Sequence, residues 1–456
     1  MGHTTEEPHM KTLAHRAVAC VAAASLCMAW LPAAAQEGAA AKVATAVARS
    51  PAAAPFNGAD MAWMLVATVL VLLMTMPGII LFYSGMLRAK NALSMAAHTV
   101  GGTAVVTLVW AIAGYSIAFT PGTPLAGDLS RLFAAGLAGP GSGAHPLAVT
   151  VPESLFFLFQ MAFAVITFAL ILGATAERMR LGAMAAFAGL WTLLVYAPVA
   201  HWIWQPGGWL AARGHMDFAG GTVVHVVAGA SGLAAAAVLG KRQGLGREPM
   251  MPHNLLLTVM GAGLLWVGWF GFNAGSAFEA GARAGGALLN TQVAACMGAV
   301  LWSLCDHMRR GQWSVLGMMT GAIAGLVAVT PASGFVGVGG ALAIGAVAGV
   351  ACFFTVAHFK ARIGIDDPLD VFALHGVGGL LGTALTPLFA SSAVAPVTST
   401  VLANTLGALA VMAYAGAMTW GLLKLVALCV PLRVSPSDET IGLDMAQHGE
   451  MLSPTA

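Results

Sequence analysis

The chain has 456 residues, of which 59% are hydrophobic and only 8% charged, with 56 glycines and a formal net charge of +2. This composition excludes an ordinary soluble globular protein and predicts an all-α polytopic membrane protein. The small net charge argues against nucleic-acid binding. The apolar composition makes membrane lipid the expected partner that surrounds the protein. Glycine and alanine fill the apolar runs, which is typical of membrane helices that pack closely.

The first 35 residues have the layout of a cleavable signal peptide. Lys11 and Arg16 precede an apolar run from Ala17 to Leu31, and small residues follow Pro32. An uncleaved first membrane helix is the alternative, although the run is short for a span. Cleavage would leave residues 36–58 as an exported arm, residues 59–431 as the membrane domain and residues 432–456 as a cytoplasmic tail.

The membrane domain is predicted to contain eleven transmembrane helices. Apolar segments run through residues 61–83, 92–119, 153–176, 181–203, 218–240, 254–276, 286–305, 314–331, 335–357, 371–390 and 400–430. Alternate connections carry eleven basic residues, and the remaining connections carry only Arg131, Arg213 and Arg283. The positive-inside rule therefore predicts the mature N-terminus outside and the C-terminus in the cytoplasm.

Two segments share the pattern of an aspartate followed eight positions later by a histidine: Asp217 with His225, and Asp367 with His375. A rise of about 1.5 Å per residue carries each histidine roughly 12 Å past its aspartate, nearly half of a bilayer core about 30 Å thick. The predicted topology makes the two segments enter from opposite faces. The spacing therefore predicts two inverted five-helix halves plus a final helix, with both histidines near the midplane.

Each polar residue also has a structural interpretation. The aspartates are typical N-caps, which we favour for both, and either histidine alone would pass for a hydrogen-bonded core residue. Matched depth favours function for the histidines, because polar groups at this depth are costly. Two neutral rings can share an N–H···N hydrogen bond, accept a bond from a small neutral solute, or relay a proton.

Aromatic residues near the same segments indicate a cation site. Some fit the interfacial aromatic belt, namely Trp202, Trp209 and Trp266. Trp204 and Phe272 lie towards outer helix ends, and Ser276 adds a hydroxyl. Aromatic faces hold a partly dehydrated cation with up to about 2 kcal/mol. The sequence contains no P-loop, zinc signature or nucleophile elbow, so we expect no enzyme activity, no metal and no cofactor.

Five motifs together resemble the Amt/Rh ammonium transporter family, and its bacterial Amt branch most closely. In chain order they are Pro77 to Tyr83 (PGIILFY), Gly173 to Arg178 (GATAER), Asp217 to His225 (DFAGGTVVH), Gly268 to Ser276 (GWFGFNAGS) and Asp366 to Gly376 (DDPLDVFALHG). The resemblance implies ammonium transport through a hydrophobic pore in the plasma membrane, the bacterial inner membrane.

The resemblance also implies roles for particular residues. Phe163, Trp204 and Ser276 would form an outer recruitment site for ammonium or methylammonium, with Phe159 near the vestibule. Stacked Phe163 and Phe272 would form a gate above the His225/His375 pore relay. The implied structural and electrostatic positions are Asp217, beside the recruitment site, and Thr330, near the inner end of the pore; Asp367 is the matching aspartate of the second segment. The implied partners are two further copies in a homotrimer and a P-II-type regulator at the cytoplasmic face.

Three other functions stay open. One is a neutral channel for ammonia or carbon dioxide of the Rh type, and another is an ammonium sensor coupled to a cytoplasmic partner. The third is an intramembrane haem protein with His225 and His375 as axial ligands.

Overall fold

A computed structural model describes residues 56–139 and 142–452, apart from the side chains of residues 359–361. The predicted signal peptide and nearly all of the predicted exported arm lie outside the described residues. Within these ranges the regular structure is helical, without β-strands. All eleven predicted segments coincide with helices: α1 (Gly58–Met86), α2 (Ala89–Phe119), α3 (Glu153–Thr175), α4 (Leu181–Trp204), α5 (Gly221–Leu239), α6 (Leu255–Gly275), α7 (Ala282–Arg310), α8 (Val315–Val329), α9 (Val338–Ile363), α10 (Phe372–Phe389) and α11 (Val401–Cys429).

Ten of these helices in the described part of the chain are long and apolar enough to cross a membrane, and α8 is shorter. Its 15 residues span roughly 22 Å, less than a typical hydrocarbon core. Pro331 lies just beyond its end, a common position for proline after a helix. Turns over residues 330–335 then lead into α9. The all-α, multi-pass architecture is confirmed, while the in/out orientation of the termini stays a prediction.

Helix α3 forms the centre of the bundle and α11 lies at its edge. Nearly all of α3 is buried (94% of its apolar window), whereas α11 is buried over only 28% of its window. A helix that is apolar on every side and also buried on every side must be surrounded by protein. The residues of α3 are therefore placed to line any pathway through the bundle.

Both Asp/His segments begin with a wide π-helical turn. These turns span Gly221–Val226 at the start of α5 and Phe372–Val377 at the start of α10, and each contains its histidine. Such turns are uncommon and are frequent at functional sites. The two histidines are 150 residues apart. Since α1, α2 and α4 also contain π-helical turns, it is the shared placement of a histidine within the turn that supports the interpretation of two related halves.

Glycines let α5 and α10 cross in backbone contact next to the histidines. A Cβ atom added at Gly229 would overlap the backbone N and Cα of Gly376. Close approach of this kind is the usual reason for small residues at membrane helix crossings. It brings the two π-helical turns side by side.

We expect Gly229→Ala to separate this crossing and to destabilise the protein by about 1–3 kcal/mol, the usual range for overpacking. Thermal unfolding in detergent measures the effect. Gly263→Ala on α6 is the matched control, since its Cβ meets nothing within 4 Å. Equal unfolding temperatures for the two variants would contradict the assigned close packing.

After the last residue of α5 and before the first residue of α10, a buried ion-pair network joins the basic connections. Glu177 bonds Arg88 at 2.8 Å and Arg242 at 3.0 Å, and Arg242 also bonds Asp366 at 2.9 Å. The C-terminal tail packs on the same surface. Its Asp444 accepts the backbone N–H groups of Leu93 and Ser94 at the start of α2.

The network predicts acid destabilisation. Burial raises the pKa of Glu177, but Arg88 and Arg242 outweigh it and hold that pKa below its usual 4.5. Burial also raises the pKa of Asp366, but the Arg242 guanidinium outweighs burial and holds that pKa below its usual 3.8. A carboxylate whose pKa is lowered by folding contributes its full stabilisation at pH values above its pKa in the unfolded chain. That contribution is lost as the pH falls through its pKa in the folded protein.

The unfolding temperature in detergent should therefore hold near neutral pH and decline below about pH 4. Glu177→Gln should lower stability at neutral pH and reduce the acid-side decline. If the wild type and this variant show the same pH profile, the network does not control acid stability.

Candidate functional site: a twin-histidine pore

The two predicted relay histidines are in direct contact. Their Nδ1 atoms are 3.2 Å apart, and their ring centroids lie 5.2 Å apart at an angle of 30°. One ring must donate from Nδ1 and the other accept there, so the two rings carry different tautomers. His225 Nε2 is buried without a hydrogen-bond partner among the described residues. This nitrogen is free to bond a small solute, and the contact leaves no room for a haem between the rings.

A narrow, mostly apolar cavity surrounds the histidines. Its volume is about 10 Å³, about the space that one water molecule needs. Hydrophobic side chains supply most of its wall, which is formed by Met74, Ile79, Phe82, Tyr83, Ile166, Leu170, His225, Leu265, Trp269, Phe272, Ile323 and His375. A hydrated cation does not fit, and a bare cation would be poorly solvated there.

Two stacked phenylalanines close the cavity on the Asp217 side. The Phe163 and Phe272 rings lie 4.1 Å apart and 13° from parallel, and both side chains are buried. Phe272 also lies 6.0 Å from the ring of His225. Phe159 packs against Phe163 at 4.8 Å. The predicted gate residues therefore form a plug directly above the histidines.

Trp204 and Ser276 flank this plug. Trp204 meets the edge of Phe163 with ring centroids 5.8 Å apart, and its indole N–H donates to the Asp217 carbonyl at 2.9 Å. Ser276 lies one turn beyond Phe272 and donates to the Phe272 carbonyl at 2.9 Å. That bond fixes the hydroxyl and leaves its oxygen lone pairs as acceptors.

Asp217 caps the π-helical turn that carries His225. Its carboxylate accepts four backbone N–H groups at 2.7–3.1 Å, from Gly220, Gly221, Thr222 and Val223. In the second half, Asp367 accepts the N–H of Phe372 at 2.9 Å. Both aspartates thus bond the residue five positions on, at the first turn of a histidine-bearing helix. The N-cap positions themselves are Gly220 and Val371, so both carboxylates cap these turns from further upstream than the N-cap interpretation predicts.

Thr330 is not near the inner end of the pore, so that expectation is wrong. Its hydroxyl accepts the indole N–H of Trp269 at 2.9 Å, and Trp269 stacks on His225 at 5.4 Å. The next residue, Pro331, accepts the N–H of Phe218 at 3.1 Å. Because α8 is short, Thr330 lies at the level of His225 and towards the Asp217 end.

Trp269 is the site residue that the sequence left without a role. It orients one face of His225 and is itself held by Thr330. The available signal was its position inside α6 instead of at an interface, where membrane tryptophans are enriched.

Comparison with known proteins places this geometry in a family. The family model described as the Ammonium Transporter Family matches residues 62–452. The ammonium transporter of Bacillus subtilis (strain 168) is 44% identical, with 86% of this chain and 97% of that protein covered. Ammonium transporter Amt1 of Archaeoglobus fulgidus is 40% identical over 86% of this chain and 98% of that protein.

Solved structures agree with the sequence comparison. Candida albicans Mep2 matches with a TM-score of 0.79 and 38% identity, covering 88% of this chain and 92% of that one. A structure described as a Sensor Amt Protein matches with a TM-score of 0.78 and 29% identity, covering 86% of this chain and 98% of that one. The chain is a multi-pass membrane protein that belongs to the ammonium transporter family.

Proposed function

We propose that this protein transports ammonium by recruiting it as a cation, deprotonating it at the phenylalanine gate and conducting ammonia past the twin histidines. The observation that carries the proposal is the narrow apolar cavity around the bonded pair His225 and His375, closed by stacked Phe163 and Phe272.

Selectivity follows from the cost of dehydration. Ammonium and K⁺ have the same charge and similar size, and stripping either of water in a low-dielectric pore is very unfavourable. Ammonium alone can avoid this by giving up a proton, which the hydrogen-bonded pair His225 and His375 relays inward while ammonia follows, so that one positive charge crosses with each ammonia. The free Nε2 of His225 is then a hydrogen-bond partner for neutral ammonia inside the pore.

The outer recruitment site would bind the ammonium cation before it loses its proton. Trp204 and the gate phenylalanines offer aromatic faces, and the Ser276 oxygen offers lone pairs. The Asp217 carboxylate acts at a distance, since its oxygens are engaged by backbone N–H groups.

Voltage-clamp recording in membranes that express the protein tests the proposal. Methylammonium or ammonium should evoke an inward current that saturates, with K⁺ excluded. Ammonia flux without current would instead support the neutral gas channel. The absence of both would remove ammonium transport as the function.

At the assembly level we propose a homotrimer with one pore per subunit and a P-II-type regulator at the inner loops and tail. The proposal is supported by family membership and by a tail that packs on the inner ends of the helices. Mass measurement in detergent tests the trimer, and co-purification with a P-II-type protein tests the regulator.

A sensor role is the second candidate, favoured by the likeness to the Sensor Amt Protein and by the docked tail. Deletion of residues 434–456 separates the two. Loss of ammonium-dependent signalling with normal uptake would support a sensor, and unchanged signalling would argue against it.

A further inference from the structure

A larger cavity continues the pathway on the far side of the histidines from the gate. It has a volume of about 380 Å³ and lies between the end of α1 and helices α7 to α10. Phe82 lines both this cavity and the narrow one, and Leu374 of its wall directly precedes His375. Under the proposed function this space is the exit for ammonia from the histidines, and we call it the inner vestibule.

One buried carboxylate faces the inner vestibule with an incompletely used oxygen. Asp306 is only 3% exposed and lines the cavity. Its Oδ1 has no hydrogen-bond partner among the described residues, and its nearest cation is Arg310 at 3.5 Å. The Arg310 side chain is 64% exposed, so it can move into solvent with little loss of packing.

The surroundings of Asp306 keep its carboxylate ionised and place hydroxyl oxygens in the same cavity. Its Oδ2 packs against Gly317 in the first turn of α8, where the helix dipole stabilises negative charge. The hydroxyl oxygens of Ser314 and Thr320 line the same cavity. Ser314 Oγ accepts the Gly317 N–H at 3.0 Å, and Thr320 Oγ1 donates to the Leu316 carbonyl at 2.8 Å. Each oxygen keeps a lone pair that can accept a further hydrogen bond. A carboxylate with hydroxyl oxygens is a suitable acceptor set for a small N–H donor cation.

We propose that the inner vestibule holds a second ammonium site, in which Asp306 binds the cation after ammonia has been reprotonated and Arg310 competes for the same carboxylate. This rests on the proposed function. In the vestibule the relayed proton is carried by water as hydronium, and the ammonia lone pair takes it up, leaving water and ammonium. Asp306 then holds the product until it exchanges with Arg310 and enters the cytoplasm.

The test measures apparent ammonium affinity from each face. Whole cells expose the outer face, and inverted membrane vesicles expose the inner face, with ammonium-evoked current as the readout in both. Asp306→Asn should weaken the inner apparent affinity about tenfold, the scale of one lost charge-assisted hydrogen bond. The outer apparent affinity should change less than about twofold, because the outer site is unaltered.

Arg310→Gln provides an independent test in the opposite direction. It removes the competing cation from an exposed position, so folding should be preserved and the inner apparent affinity should strengthen. Arg247→Gln is the matched control, since this exposed arginine lies outside the lining of the inner vestibule; it should leave inner affinity nearly unchanged.

The outcomes separate this site from the general function. Equal inner affinity in the wild type, Asp306→Asn and Arg310→Gln, with current intact, would overturn the inner site and leave ammonium transport standing. If Asp306→Asn fails to fold, Arg310→Gln decides alone: unchanged inner affinity overturns the site. Absence of current in the wild type would instead reject the proposed function itself.

Discussion

Asp217→Ala should abolish ammonium transport and lower stability by at least about 3 kcal/mol. The carboxylate accepts four buried backbone N–H groups, and each buried donor left without a partner costs roughly 1–3 kcal/mol unless water reaches it. The freed π-helical turn carries His225, and the carbonyl of the same aspartate holds the Trp204 indole. Loss of this cap therefore disturbs both the relay and the recruitment site.

Two further variants grade the effect. Asp217→Asn keeps one acceptor oxygen but turns an N–H₂ towards two backbone donors, so it should be intermediate in stability and transport. Asp367→Ala removes the bond to Phe372 in the matching position and should also lower the unfolding temperature. Methylammonium uptake at 25 °C and thermal unfolding in detergent measure both properties. Normal uptake by Asp217→Ala would show that the cap is dispensable.

Much of the fold was predictable because a bilayer imposes simple rules. Helix positions follow from apolar runs that must satisfy their own backbone hydrogen bonds, and all eleven segments coincide with helices. Equal Asp-to-His spacing in segments of opposite predicted direction was enough to bring His225 and His375 together, and they are in contact at 3.2 Å.

The sequence was less informative wherever a contact depends on a helix end or on a distant loop. Thr330 was placed near the inner end of the pore by the family resemblance alone, and its hydrogen bond to Trp269 of α6 is visible only in the folded structure. Trp269 received no role, because the sequence contains several tryptophans and does not show that this one stacks on the ring of His225. Asp306 follows a cysteine near the end of α7, and only packing against Gly317 of α8 reveals that it is buried.

The aspartates show how local and long-range information combine. Capping is a local property, and the N-cap interpretation anticipated that Asp217 accepts backbone N–H groups at this helix start, although Gly220 occupies the N-cap position and Asp217 lies three residues before it. The link from that cap to function passes through the Trp204 indole, which donates to the Asp217 carbonyl, and the His225 ring, which the capped turn carries. Residue preference predicts the first link, and only the folded structure contains the second.

The double variant His225→Ala/His375→Ala should reduce the ammonium current about 10–100-fold, because ammonia then crosses the cavity without its hydrogen-bond partners. Removing two rings also enlarges a cavity that now has room for about one water molecule. Water that enters this space would hydrate a cation, so discrimination against K⁺ should weaken at the same time. A loss of stability without entry of water into the cavity would alter the rate without altering selectivity.

Current under voltage clamp with ammonium and with K⁺ measures both quantities in one membrane. His145→Gln is the matched control, because His145 is also buried and bonded, through Nε2 to the Phe119 carbonyl, but lies away from the histidine cavity. It should retain K⁺ exclusion even if stability falls. An unchanged ammonium current with intact K⁺ exclusion in the double variant would mean that selectivity resides wholly in the Phe163/Phe272 gate and the outer site. The contact between His225 and the underside of that gate makes a shared role the expected result.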